Sequence, residues 1–74
     1  MELEEIDFDS EYLRSSRLKK GLSQEQLAGK MNRNVETIEY LESKKSYPTM
    51  FTLYQLSKFF KVPMEKFIKV SKNG

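Results

Sequence analysis

The residues of this chain best able to do chemistry are gathered between Gln24 and Ser46. Arg33, Asn34, Val35, Glu36, Thr37 and Tyr40 place basic, amide, apolar, acidic and hydroxyl groups close together, and Lys44, Lys45 and Ser46 follow. Such a mixture suits a polyanion whose edges are read. Asn34 and Thr37 can bond a base edge or a phosphate, Val35 can touch a thymine methyl, and Glu36 can accept from a cytosine amino group. Tyr40 lies one turn further on and can reach a base or a phosphate. Lys44, Lys45 and Ser46 can bind phosphates through side chains and backbone N–H groups. Arg33 and the lysines bracket the segment at both ends, as phosphate anchoring requires. Each residue also has a plainer role. Asn34 can cap a helix, Glu36 and Glu39 favour a helix macrodipole without any ligand, and the lysine loop can simply be solvated.

Other chemistries have little to stand on. With no Cys and no His, the chain forms no disulfide, no thiolate metal site and no imidazole-based catalytic group. It has no Ser-His or Cys-His arrangement, no glycine-rich phosphate loop and no metal-ligand cluster. The expectation is therefore a protein that is not an enzyme, with no metal, no cofactor and no small-molecule ligand. No apolar run approaches the ~18 residues that span a bilayer. The first ten residues carry Glu2, Glu4, Glu5, Asp7 and Asp9, the opposite of a basic signal-peptide start. A soluble cytoplasmic protein is expected.

The net charge of +2 conceals an asymmetry. Six carboxylates and no base lie in residues 1–11, whereas all 13 Lys and Arg lie beyond them against five carboxylates. A basic body suits a polyanionic partner, although solvated lysines also keep a small domain soluble. The bases that flank Asn34 to Tyr40 favour the first account.

The elements that must position these residues are legible from caps and periodicity. Ser23 and Gln26 match a capping box, with Leu22 and Leu27 placed to close as a hydrophobic staple. Ala28 is small where a crossing helix must approach. Asn32 stands where the chain leaves the helix, and Asn tolerates the left-handed conformation. Asn34 then caps a helix carrying Val35, Ile38 and Leu41 at helical spacing. Two short helices joined by so brief a turn must cross, and such a pair presents its second helix to the DNA major groove in many proteins.

Around this pair, Asp9 or Ser10 caps a first helix to about Lys20, with Leu13 and Leu18 inward and Gly21 just past its end. The second helix spans about 24–31 and the third about 35–43. Ser43 to Pro48 form a polar loop. Thr49 caps a fourth helix over about 50–60, with Met50, Leu53, Leu56 and Phe60 as its apolar stripe. Pro63 starts a short fifth helix carrying Met64, Phe67 and Ile68. No sustained period-two alternation is seen, so the fold class expected is all-α. Residues 1–9 read as an acidic N-terminal arm, in which Leu3, Ile6 and Phe8 could lie against the body; 10–70 read as the domain and 71–74 as a C-terminal tail.

From Leu13 to Ile68 the chain resembles the Cro and repressor helix-turn-helix family of phages and bacteria, also called XRE-like. The segments that carry the likeness are Gly21-Leu22-Ser23-Gln24, Glu25 to Ala28, Thr37-Ile38, Leu41-Glu42, Pro48-Thr49 and Val62 to Ile68. The resemblance implies a compact five-helix, lambda-repressor-like domain whose second and third helices form the DNA-reading unit. It also implies a DNA contact at Gln24 and a buried ion pair between Arg17 and Glu42. Departures are Arg33 in place of an apolar turn residue, Lys44 in place of a common glycine at a site suited to positive φ, Phe59 in place of a small residue and Phe51 in place of a polar one. The acidic arm has no counterpart. Phe51, Phe59 and Phe67 exceed the aromatic needs of so small a core, which places a dimer interface on the loop before helix four and the fifth helix, as in relatives.

The function expected is a sequence-specific DNA-binding transcriptional regulator, a repressor bound as a homodimer to a two-fold operator in double-stranded DNA. The alternative is a protein-interaction module, antitoxin-like or a phage inhibitor, that keeps the same scaffold. The acidic arm and the acids of helix three favour that alternative.

Overall fold

The acidic start and the basic end of the chain meet as a two-stranded antiparallel sheet, and their meeting closes the domain. The computed structural model describes residues 4–72. In order, the elements are β1 (Glu4–Phe8), α1 (Ser10–Lys19), α2 (Gln24–Lys30), α3 (Val35–Glu42), α4 (Met50–Phe60), a 3-10 helix (Met64–Phe67) and β2 (Ile68–Lys72). The strand register sets Glu4 opposite Lys72, Asp7 opposite Lys69, Ile6 opposite Val70 and Phe8 opposite Ile68. Ile6 and Val70, and Phe8 and Ile68, are thus apolar residues at opposite register positions, the kind of cross-strand pair that stabilises a ladder.

The all-α, five-helix expectation is corrected accordingly. The segment after Pro63 makes one tight 3-10 turn, and Ile68 is already the first residue of a strand. Residues 4–8 of the expected arm form the partner strand, and residues 71 and 72 of the expected tail belong to β2. Leu3, Gly74 and the other terminal residues lie outside the described residues. The helical stretch therefore stops at Phe67, and Ile68 to Lys72 pair with β1 from the far end of the chain.

Helix ends follow local chemistry. The Asp9 side chain accepts from Tyr12 N to cap α1, Ser23 and Gln26 complete the reciprocal capping box of α2, and Thr49 caps α4 through Thr52 N. Gly21 carries the chain out of α1 at φ +69°, a conformation that costs glycine little. Lys61 closes α4 in the same left-handed region at φ 57°, without the glycine that usually marks such a cap.

The core is built on Leu13, Leu27, Ile38, Leu41, Leu56 and Phe67, all fully buried. Phe67 is its aromatic centre. Its ring stacks on Phe8 at 6.2 Å, meets Tyr12 edge-on at 5.1 Å and tilts against Phe60 at 6.1 Å. The Asp9 N–H donates to the Phe67 carbonyl at 2.6 Å, joining the start of α1 to the 3-10 turn. Two inward assignments change. Leu18 is 57% exposed, because the buried side of α1 runs through Ser10, Leu13 and Arg17; Met50 is exposed, because α4 buries Thr52, Leu56 and Ser57 instead. Among the described residues, no helix is long and apolar enough to cross a membrane.

Since Phe8 is buried against Phe67, β1 is part of the folding unit. Phe8→Ala should lower unfolding free energy by about 3–5 kcal/mol, read as a fall in urea midpoint. A free arm would leave the midpoint unchanged.

Candidate nucleic-acid interface

The α2–α3 turn is built from three backbone settings. Asn32 adopts φ 57°, its N–H donates to Gly29, and the Arg33 N–H donates to the Ala28 carbonyl at 2.8 Å. Asn34 is extended at φ −73°, ψ 149°, and starts α3. Buried Ala28 lets α3 cross closely, while Ile38 and Leu41 fix its inner side. Glu36, Glu39 and Tyr40 are consequently exposed, and Thr37 is half-exposed. Val35 is half-buried and packs against the core, so only part of its surface faces outward. Asn34 holds the N-cap position but makes no side-chain cap bond. Thr37 N donates to the Asn34 backbone carbonyl instead. The expected amide cap is corrected, and the amide group stands exposed at the outer end of α3.

Beneath α3, the structure brings Arg17 and Glu42 together. Arg17 Nε donates to Glu42 Oε2 at 2.7 Å and its Nη2 to Oε1 at 3.0 Å. The third Arg17 bond, from Nη1, runs 2.8 Å to the Leu22 carbonyl. Gln24 Nε2 adds a further bond to Glu42 Oε1 at 3.0 Å. Only 9% and 6% of the two charged side chains remain exposed. The carboxylate raises the Arg17 pKa above its ordinary value through the hydrogen bonds it accepts, against the opposing effect of burial. One polar knot therefore joins α1, the start of α2 and the end of α3. Gln24 is part of it, which leaves its amide only partly free for other contacts.

The flanking bases differ in availability. Arg33 Nε donates 2.8 Å to Gln55 Oε1, and Gln55 Nε2 donates to the Met31 carbonyl, so this base ties the turn to α4. Lys44 adopts φ 62°, the positive value suited to the glycine it replaces, and its ammonium lies 2.6 Å from Asp7 Oδ2. The Lys45 ammonium sits 5.5 Å from the centre of the Tyr40 ring, with no acid against it among the described ion pairs. The N–H groups of Lys44, Lys45 and Ser46 all donate to the carbonyls of Leu41 or Tyr40. The expectation that these N–H groups bind phosphate is corrected: the end of α3 uses them, and only side chains are left.

One base escapes sequence reasoning. Arg14, exposed on α1, lines an open cleft with Arg17, Gln24, Glu39, Glu42 and Ser43. Its signal is the spacing from Arg17, three residues on and therefore on the same side of the helix. The three phenylalanines assigned to an interface separate. Phe67 has no exposed surface, and Phe59 is half-buried against Phe60 and Lys20. Phe51 is 80% exposed, near exposed Tyr47, Met50 and Tyr54. The assignment of Phe67 is thus corrected, since the core of a single chain already fills its surroundings.

Residues 13–67 match the family model described as helix-turn-helix. No curated protein matches the chain.

The buried pair generates a stability prediction. Glu42→Ala leaves a desolvated guanidinium facing only the Leu22 carbonyl, and loss of one partner in a buried pair costs about 3–5 kcal/mol. Urea unfolding monitored by circular dichroism should show the midpoint fall by a corresponding amount; an unchanged midpoint would mean that the charges are solvated in solution.

Proposed function

The chain belongs to the Cro/C1-type, XRE-like helix-turn-helix family, and we propose that within it this protein is a sequence-specific repressor that binds a two-fold operator as a homodimer. Membership makes it a DNA-binding regulator of the XRE type, in a family that is not enzymatic. The observation that carries the finer reading is the division of α3 into two sides. Ile38 and Leu41 are fully buried, while Glu36 and Tyr40 stand exposed with the uncapped amide of Asn34 beside them.

In this reading α3 enters the major groove by its N-terminal end. Asn34 and Thr37 bond base edges or the nearest phosphate, Val35 offers part of its surface to a thymine methyl, and Glu36 accepts from a cytosine amino group. Tyr40 and Lys45 meet the backbone on one flank; Arg14, Gln24 and Ser46 meet it elsewhere. Arg33 contributes through whatever part of its guanidinium Gln55 leaves free. The acids of α3 repel phosphate, so attraction to the backbone must come from these flanks.

One such domain contacts few bases, and two copies one DNA turn apart are the usual remedy. Phe51, with Tyr47, Met50 and Tyr54, supplies an exposed apolar surface for the second copy, and an isologous contact there keeps both reading helices available. Selection of bound sequences from random double-stranded DNA tests the whole reading. Enrichment of an inverted repeat supports it, and no enrichment at low salt would turn the assignment toward the protein-interaction alternative.

Two finer outcomes are expected. Glu36→Ala or Thr37→Ala should change which bases are preferred, by about 1–3 kcal/mol for each lost contact, whereas Lys45→Ala should weaken all sequences alike and lower the salt slope by about one. A titration of the selected operator and of point-substituted versions separates these. Phe51→Ala should cost about 2 kcal/mol of dimer affinity if Phe51 is a central anchor, visible by sedimentation at micromolar protein without DNA.

A further inference from the structure

The acidic β1 strand reaches the basic loop that follows the reading helix. Asp7 Oδ2 lies 2.6 Å from the Lys44 ammonium, and Asp7 Oδ1 accepts from Phe8 N at 2.8 Å, which fixes the carboxylate on the strand. Its cross-strand neighbour Lys69 lies 4.0 Å from Asp9 instead, leaving Asp7 to Lys44. The Lys44 backbone, left-handed at φ 62°, follows directly on the end of α3. Both partners remain more than a third exposed, so solvent and competing ions reach the pair. The hydrogen bond from Lys44 is the main cause that lowers the Asp7 pKa, with the Tyr47 hydroxyl acting in the same direction; Asp7 in turn raises that of Lys44.

A carboxylate on a lysine ammonium occupies the position that a DNA phosphate oxygen would take on the same lysine. We propose that β1 is a built-in competitor for the DNA backbone, with Asp7 holding Lys44 in the free protein and phosphate displacing it on binding. This rests on the DNA-binding reading above and gives the acidic strand a role: it lowers affinity for phosphate at one anchor without touching the base-reading residues. The competition is intramolecular, since Phe8 is anchored in the core and keeps the adjacent Asp7 at high local concentration. The energies are suitably matched, because an exposed ion pair is weak enough to be exchanged.

The exchange has a salt signature. A new lysine–phosphate contact releases a counterion from DNA, whereas the Asp7 carboxylate freed on binding is a lone exposed charge with no condensed ion atmosphere to rebuild. In the parent chain, Lys44→Gln should therefore lower the salt slope of DNA binding by about one, as Lys45→Ala does. Asp7→Asn keeps an acceptor for Phe8 N, and it should bind double-stranded DNA about 2–5-fold more tightly, with a salt slope close to that of the parent because the same phosphate contact forms. Glu65→Gln, an exposed acid on the 3-10 helix, controls for net charge and should do less. In the Lys44→Gln background, Asp7→Asn should add nothing beyond that control. Elution from immobilised heparin provides a second, sequence-independent polyanion. Lys44-dependent retention of Asp7→Asn on heparin, with no binding of parent or variant to DNA, would overturn the DNA reading and keep the competitor. The proposal is overturned if Asp7→Asn binds no more tightly than Glu65→Gln, or if its gain survives loss of Lys44. If Asp7→Asn fails to fold, a salt slope that Lys44→Gln leaves unchanged overturns it equally, because Lys44 then meets no phosphate.

Discussion

The geometry of the reading unit depends on one desolvated ion pair. Arg17 and Glu42 lie on α1 and α3, and the same cluster draws in the Leu22 carbonyl and the Gln24 amide from the two sides of the α2 N-cap. A hydrophobic pair of similar volume would often be as stable, because desolvating two charges offsets much of their attraction. What an apolar pair cannot supply is direction. The planar guanidinium meets the carboxylate through two parallel bonds and aims its third nitrogen elsewhere, so it fixes the rotation of α1 relative to α3. The two-residue gap between Asn32 and Val35 can hold a crossing angle only if something beneath it resists sliding. Buried Ala28, Ile38 and Leu41 supply the close approach, and the ion pair supplies the register.

The chain's uneven charge acquires meaning at the level of tertiary structure. Asp7 and Asp9 are not part of a solvated appendage, since Asp9 caps α1 and lies 4.0 Å from Lys69, and Asp7 pairs with Lys44. The Asp7 contact withdraws positive charge from the flank of α3. A body whose lysines were all free would bind any polyanion, because counterion release does not distinguish sequences. In the function proposed for this chain, reducing that term would leave more of the binding free energy to contacts with base edges, which carry discrimination.

Elements with local signals are legible in the amino-acid sequence itself. Ser23 to Gln26, Asn32, Gly21 and Thr49 announce caps and turns by side-chain chemistry within four residues, and each stands where that chemistry places it. The family likeness over residues 13–67 adds the arrangement of the helices. The sheet is not legible in this way, because β1 and β2 are five residues each and neither makes sense without the other. Only the match of acids at one end with lysines at the other hints at it. Leu18 and Met50 depart from their expected sides for a related reason. Apolar periodicity assumes that a helix buries its hydrophobic stripe, whereas α1 turns Arg17 inward to meet Glu42 and α4 buries Thr52 and Ser57. At the candidate interface, residue types identify groups able to touch DNA but not which of them are already engaged.

That engagement changes the balance of forces at the surface. Gln24 bonds Glu42, Arg33 bonds Gln55 and Lys44 pairs with Asp7, so three polar side chains that read as free are partly committed within the fold. Each commitment fixes an element beside the reading helix: the start of α2, the turn before α3 and the loop after it. Held side chains lose less entropy when a ligand arrives than mobile ones do, but they offer fewer bonds to it. The free set is thus small and mixed in sign, with Arg14 and Lys45 at the flanks and Glu36 and Glu39 between them. In the function proposed for it, a surface of this kind would draw DNA weakly from afar and depend on fit at contact, which is a reason for the scaffold beneath it to be fixed by a buried ion pair rather than by apolar packing alone.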